Sequence, residues 1–157
     1  MTLRTESTLD DLGRKLLAVL QEDARLSFSA LGRRVGLSPP AVAERVRRME
    51  QAGLITGYRA TVDPALAGLA ITAFLRVLCP GEKYQAVRQL AGDLPDVLEC
   101  HHVTGEDCFF IKVAVPSVEA LETVVDRFRA HGRTISSVAL SAVVGGKEIV
   151  PPGRSRG

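Results

Sequence analysis

The side chains best suited to chemistry lie along one predicted helix, residues 39–53. At about 100° per residue, Glu44, Arg47 and Arg48 point away from an apolar stripe that repeats at helical spacing. Arginines bind DNA phosphates or the guanine edge, and a glutamate can accept a hydrogen bond from cytosine N4. This face is therefore predicted to contact DNA, and the alternative is an ordinary solvated helix of mixed charge.

Two short helices joined by a glycine turn are predicted to position this face. Gly36 can adopt a left-handed conformation and end the first helix, Ser38 is a good N-cap, and Pro39 fits the first helical position. The pattern is typical of a helix-turn-helix, whose second helix enters the DNA major groove. The residues predicted to bind DNA are Ser38, Pro39, Pro40, Ala43, Glu44, Arg47 and Arg48.

Charge and hydropathy agree with this prediction. Residues 1–60 carry ten Lys/Arg and seven Asp/Glu, whereas residues 61–157 carry ten and eleven, so the basic excess lies beside the helix-turn-helix. No apolar run reaches the roughly 18 residues that a membrane span needs. The first residues, MTLRTESTLDD, lack the apolar core of a signal peptide. A cytoplasmic protein without membrane contact is expected.

Periodicity predicts the elements of the whole chain. A first amphipathic helix starts near Leu9, and residues 55–62 fit either a strand or a linker. Further along, strands are predicted at 71–79, 97–104, 108–115 and 134–144, with helices at 82–94 and 117–131. The order βαββαβ predicts a ferredoxin-like sandwich.

The predicted fold class is α+β, with an N-terminal winged-type helix-turn-helix domain followed by a ferredoxin-like βαββαβ domain. The expected bounds are 1–54 for the DNA-binding domain, 55–68 for a strand or linker, 69–147 for a ligand-sensing and oligomerisation domain, and 148–157 for a disordered tail.

Two separate stretches resemble one known family. The first begins LDDLGRKLLAVLQEDARLS and continues LGRRVGLSPPAVAERVRRMEQAGLITGYRATVDP, and the second is VLECHHVTGEDCFFIKVAV. In these motifs the chain resembles the Lrp/AsnC family (leucine-responsive/asparagine, or feast/famine, regulators) over about residues 9–147. Gly13 and Arg14 stand where a typical member has Asp-Arg, a change that lowers helix propensity.

The resemblance supplies the expectations for the second half. It implies that the domain dimerises through its sheet, that dimers assemble into larger rings, commonly octamers, and that small ligands, often amino acids, bind between dimers. The predicted partners are thus double-stranded DNA, a small effector and further copies of the chain. The family's glycine turn matches Thr104, Gly105, Glu106 and Asp107.

Backbone N–H groups and acids in this turn could hold the carboxylate and ammonium groups of an amino acid, and the alternative is a plain β-hairpin turn. A common family pattern has Asp at position 108 with an aromatic residue before it, whereas here the pair is Asp107-Cys108. No glycine-rich phosphate loop and no supported Ser/His/Asp arrangement occurs. A non-enzymatic protein without cofactor is therefore expected.

The cysteines allow a further alternative. Cys79, Cys100 and Cys108 are odd in number and form no CxxC, so reduced, buried thiols are predicted, without a metal. Cys100 and His102 share a strand face, whereas His101 points to the other. The alternatives to a ligand-responsive regulator are a ligand-independent architectural protein that wraps DNA and a metal or thiol sensor built on this cluster.

Overall fold

The structure is a computed structural model that describes residues 9–152 of the chain. Residues 1–8, with most of the segment inspected for a signal peptide, and residues 153–157 of the predicted disordered tail lie outside the described residues. The chain divides into two compact units. The helical unit comprises the described parts of Met1–Ala60 and Val144–Gly157, and the sheet unit is Thr61–Val143.

Three helices pack around one apolar cluster in the helical unit. They are α1 (Asp11–Glu22), α2 (Phe28–Val35) and α3 (Pro39–Gln51). At the start of each helix, a side chain accepts a hydrogen bond from a backbone N–H that has no partner within the helix. These N-cap residues are Asp10, Ser27 and Ser38. The helical-unit cluster consists of the buried residues Leu16, Leu20, Leu31, Val35, Val42, Val46 and Met49. The predicted helix-turn-helix is thereby confirmed.

The segment after α3 contains no strand up to residue 70. Residues 55–62 therefore have no regular secondary structure, and the described part of the helical unit has no wing of β structure. A single extended segment needs a neighbouring strand to satisfy its backbone, and within the described chain this segment has none.

The sheet unit confirms the βαββαβ order. Its elements are β1 (Ile71–Leu78), a short 3₁₀ helix (Gly81–Lys83), α4 (Tyr84–Asp93), β2 (Val97–His102), β3 (Phe109–Val115), α5 (Val118–Arg129) and β4 (Arg133–Val138). The strands form an antiparallel sheet in the order β2-β3-β1-β4. The last strand is shorter than predicted, because the ladder between β1 and β4 ends at the start of β1, where the Ala139 N–H donates to Thr72.

The sheet has one covered and one open face. On β1, Leu75 and Val77 are fully buried in a core that also contains Phe128 of α5. The alternate residues Phe74, Arg76 and Leu78 are exposed on the open face. Within residues 9–152, no helix combines the length and apolar character needed to cross a bilayer.

Candidate nucleic-acid interface and ligand turn

The predicted DNA-binding residues lie together on α3 and the turn before it. Because the apolar side of α3 is buried in the helical-unit cluster, Pro40, Arg47 and Arg48 on the other side are exposed, and Glu44 is half-buried. Ser38 and Pro39 are exposed at the helix start, and Ala43 is half-buried on the flank. The helical spacing in the sequence thus correctly predicted which side of α3 is exposed.

Glu44 links the two arginines of this face. Its Oε2 accepts hydrogen bonds from Arg47 Nη2 at 2.6 Å and Nε at 3.1 Å, and its Oε1 accepts one from Arg48 Nε at 2.8 Å. These hydrogen bonds, first from Arg47 and then from Arg48, lower the pKa of the Glu44 carboxyl. Exposed ion pairs of this kind are weak, so a DNA phosphate can replace the carboxylate as the arginine partner.

Two glycines fix the turn that presents α3. Gly36 has a φ of 74°, the left-handed conformation predicted from the sequence. Gly32 was not predicted to matter, yet a Cβ there would lie 2.4 Å from the Leu37 carbonyl oxygen. Any side chain at position 32 would therefore push the turn away from α2.

Arg45 has a structural role that the sequence did not reveal. Its guanidinium donates to both carboxylate oxygens of Asp10, at 2.8 and 2.9 Å. Asp10 is also the N-cap of α1, so one carboxylate joins the start of α1 to the middle of α3. Arg45, and next the Gly13 N–H, lower the pKa of the Asp10 carboxyl. A pairing across 35 positions leaves no periodic signal in the sequence.

Side chains of α1 hold the C-terminal segment of the helical unit through hydrogen bonds to its backbone. The Gln21 side-chain amide donates to the Ile149 carbonyl at 3.0 Å and accepts from the Ile149 N–H at 2.9 Å. Arg14 of the same helix donates to the Pro152 carbonyl at 3.1 Å. Because these contacts use main-chain groups, they place few demands on the side chains of residues 149–152.

The predicted effector residues form an exposed turn between β2 and β3. Gly105 has a φ of 120°, and a Cβ there would meet no heavy atom within 4 Å. The positive φ therefore favours a glycine here, whereas no close approach of neighbouring atoms requires one. Thr104, Gly105 and Glu106 are exposed, and Asp107 is half-buried.

Two of these residues line a polar cavity of about 180 Å³ at the end of the open sheet face. Glu106 and Asp107 form one side, and Arg76 and Arg133 contribute positive charge. Arg76 Nη1 lies 3.4 Å from Asp107 Oδ2. Leu78 and Ile135 complete the lining, whereas Thr104 and Gly105 are not part of it.

Sequence reasoning missed both arginines of this cavity. Strand alternation already put Arg76 on the exposed side of β1, and that signal could have been used. Arg133 is brought in by the register of β1 with β4, where it pairs with Leu78. That register depends on strands 55 positions apart and cannot be read from local spacing.

The cysteines are not all buried as predicted. Cys79 and Cys108 are buried, but Cys100 is exposed because it lies on β2, an edge strand of the sheet. Among the described residues, no group of three or more His, Cys, Asp and Glu side chains is placed to hold a metal ion.

Each of the two units matches a known family model. Residues 9–50 match the family model for the AsnC-type helix-turn-helix domain, and residues 72–149 match that for the Lrp/AsnC ligand binding domain. The HTH-type transcriptional regulator LrpA of Mycobacterium tuberculosis is 35% identical over 147 residues, which cover 91% of this chain and 97% of that protein.

Solved structures agree over the same length. The feast or famine regulatory protein from M. tuberculosis, complexed with L-methionine, matches at 32% identity with a TM-score of 0.85, covering 91% of this chain and 99% of that one. The transcriptional regulator NMB0573 from Neisseria meningitidis, as its L-Met complex, matches at 28% identity and a TM-score of 0.84, covering 90% and 96%.

Proposed function

Because the chain belongs to the Lrp/AsnC family of transcriptional regulators, we propose that it is a sequence-specific DNA-binding regulator controlled by a small ligand bound between dimers. The observation that carries the DNA-binding part is the exposed face of α3, with two arginines on a helix-turn-helix scaffold. A cytoplasmic location follows from this role. An amino acid is the proposed effector class.

The proposed DNA contact uses α3 in the major groove. Arg47 and Arg48 leave Glu44 to bind phosphates or guanine, and Ala43 lies where a thymine methyl can touch it. The N-terminal residues Ser38, Pro39 and Pro40 approach the DNA backbone. One such helix reads only a few base pairs, so paired half-sites about 10 base pairs apart are expected.

The proposed effector site is the cavity beside the Gly105 turn. A guanidinium of Arg76 or Arg133 is suited to the carboxylate of an amino acid, since such pairs form charge-assisted hydrogen bonds. Glu106 and Asp107 are suited to its ammonium group. The two L-methionine complexes among the similar structures support this ligand class. A ligand-independent architectural protein would not need a cavity with both charges, which is the observation that favours the ligand-responsive function.

The open sheet face supports the proposed dimer. Phe74, Leu78 and Phe110 are 40–44% exposed there, and Leu98 on the edge strand is 45% exposed. Large apolar groups gathered on one face are typical of a surface that another chain covers. The family resemblance extends this proposal to rings of dimers, commonly octamers.

DNA binding is tested by replacing Arg47 and Arg48 with Ala, one at a time. Each variant is expected to bind its operator about 1–3 kcal/mol more weakly if the arginine reads a base. A pure phosphate contact would instead weaken binding equally on all sequences and reduce the salt slope by about one. Fluorescence anisotropy against labelled duplexes at several salt concentrations separates the two cases.

Arg129→Ala is the matched control, because Arg129 is an exposed helical arginine of the sheet unit that is also paired with an acid three residues away. Its affinity for DNA should equal that of the wild type. Wild-type affinity in both α3 variants, with folding intact by circular dichroism, would reject α3 as the reading face.

Ligand binding is tested by calorimetry with amino acids on the intact protein. Glu106→Gln and Asp107→Asn are expected to weaken an amino-acid effector by roughly 1.5–3 kcal/mol each if the carboxylates hydrogen-bond its ammonium group. Gly105→Val forces a β-branched residue into a φ of 120° and should abolish binding. Glu119→Gln on α5 is the control. A confirmed effector that binds all three turn variants normally would locate its site elsewhere.

A further inference from the structure

Two cysteines meet where β1 ends and β3 begins. Cys79 directly follows β1 and Cys108 directly precedes β3, and the register of the two strands pairs Val77 with Phe109. The Cys108 N–H donates to the Val77 carbonyl at 2.8 Å, which continues the ladder to this point. Residues that are 29 positions apart in the chain are thus neighbours in space.

The Cys108 sulfur lies directly against the backbone of Cys79. Its thiol donates to the Cys79 carbonyl oxygen at 3.2 Å and accepts from the Cys79 N–H at 3.5 Å. The Tyr84 hydroxyl, from the start of α4, donates to the same sulfur at 3.5 Å. Both cysteines are buried, at 6% and 7% exposure, so bulk solvent does not separate them.

The connection between α5 and β4 passes close to Cys79. A Cβ on Gly132 would lie 2.7 Å from the Cys79 Cβ and 2.3 Å from the Leu78 carbonyl oxygen. A side chain at position 132 would therefore collide with Cys79 and with the end of β1. Gly132 and Cys108 both lie close to Cys79.

We propose that Cys79 and Cys108 form a dithiol that a peroxide converts reversibly into an intrachain disulfide. This site is separate from the Cys100–His102 cluster of β2 that the sequence suggested. It also does not depend on the proposed effector. In cytoplasmic proteins, disulfides of this kind are typically transient and redox-sensing rather than structural.

The two thiols have different chemical roles. Hydrogen bonds from the Tyr84 hydroxyl, and next from the Cys79 backbone N–H, lower the pKa of the Cys108 thiol. Burial raises the pKa of the Cys79 thiol. Since the thiolate is the nucleophile, Cys108 is the residue that attacks the peroxide and Cys79 is the residue that resolves the product.

The steps balance. The Cys108 thiolate attacks one peroxide oxygen, the O–O bond breaks, and the departing hydroxide takes up a proton, which leaves a sulfenic acid and one water. The Cys79 sulfur then displaces the hydroxyl from the Cys108 sulfur, and the Cys79 proton leaves with it as a second water. Two thiols are oxidised, and hydrogen peroxide is reduced to two waters.

Peptide mapping tests the proposal on the full chain. Reduced protein is treated with hydrogen peroxide, free thiols are alkylated, and the digest is analysed without reduction. We expect loss of two of the three thiols per chain, a peptide pair joined through Cys79 and Cys108, and full recovery with dithiothreitol. A bond involving Cys100, overoxidation of Cys108 that dithiothreitol does not reverse, or three intact thiols would each overturn the proposal.

Tyr84→Phe tests the assignment of the attacking thiol. It removes one hydrogen bond to the Cys108 thiolate, so thiol loss at neutral pH should slow by about 2–10-fold and the rate profile should move to higher pH. Cys100→Ser is the control and should react at the wild-type rate. An unchanged pH profile in folded Tyr84→Phe protein would show that Tyr84 does not position this thiolate.

Discussion

The α3 face and the cavity beside the Gly105 turn each set two arginines against carboxylates, but they assemble them differently. On α3, Glu44 binds Arg47 and Arg48 within one turn of helix. In the sheet unit, Arg76 reaches Asp107 across 31 positions, and Arg133 arrives on a third strand. The first arrangement exists wherever the helix forms, whereas the second exists only when three strand segments are in register.

The shapes of the two sites differ in the same way. The α3 face is convex, with arginines that are more than half exposed, and a convex helix suits the major groove of DNA. The polar groups of the sheet unit surround a cavity, and concave sites suit small ligands. The proposals thus assign similar charges to a polymer in one unit and to a small ligand in the other.

The largest expected effects come from truncating one buried side chain in the core of each unit. Met49 and Phe128 are fully buried, one in each unit. Met49→Ala should cost about 2–5 kcal/mol and Phe128→Ala about 3–5 kcal/mol in unfolding free energy. We expect Met49→Ala to reduce DNA binding while light scattering still shows the wild-type assembly, and Phe128→Ala to disturb assembly first.

Circular dichroism with urea, operator binding and light scattering on the same samples check this separation. If either substitution removes DNA binding and assembly at the same denaturant concentration, the two sites share one cooperative unit. The two units would then not be independently stable, contrary to this prediction.

The same contrast explains what the sequence could predict. Gly36, Ser38 and the arginines of α3 were found because caps, turns and helical faces are encoded within a few residues. The role of Arg45 could not be found in this way, because its partner Asp10 caps another helix. The βαββαβ order was readable from periodicity, but the end of β4 was not, since it is set by the length of β1.

The cavity shows most clearly what local sequence patterns cannot predict. Glu106 and Asp107 could be proposed because the family motif marks the turn, whereas Arg133 required the strand register. The Cys79–Cys108 contact required it as well. Local patterns predict which face of a strand a residue occupies, and only the pairing of the strands determines which distant residues meet.

Glu44→Gln is expected to have a smaller effect, which concerns the affinity of the α3 face for DNA. The substitution removes the charge that binds Arg47 and Arg48 and that would repel DNA phosphates. Affinity for non-specific duplex should rise by about 0.3–1 kcal/mol at low salt, with less change at high salt. Anisotropy titrations over a salt series measure this, with Glu22→Gln, which loses a pairing with Arg34 of α2, as the control. Equal affinity for wild type and Glu44→Gln at every salt concentration would mean that Glu44 does not restrain the arginines.

The smallest expected effect concerns the contact that joins α1 to α3. Arg45 and the Gly13 N–H keep the pKa of Asp10 below its ordinary value, so the folded chain binds fewer protons here than the unfolded chain. The stabilisation is therefore present above the ordinary pKa and is lost as pH falls through the lowered, folded-state pKa.

Asn at position 10 keeps a capping oxygen but loses the charge, so Asp10→Asn should cost less than about 1 kcal/mol near pH 7. Thermal unfolding at pH 7 and pH 3 is the measurement, and the difference from wild type should shrink at pH 3. Asp11→Asn, beside it and almost fully exposed, should show little difference at either pH. A gap between wild type and Asp10→Asn that stays constant from pH 7 to pH 3 would mean that the pairing of Asp10 with Arg45 does not contribute to stability through its charge.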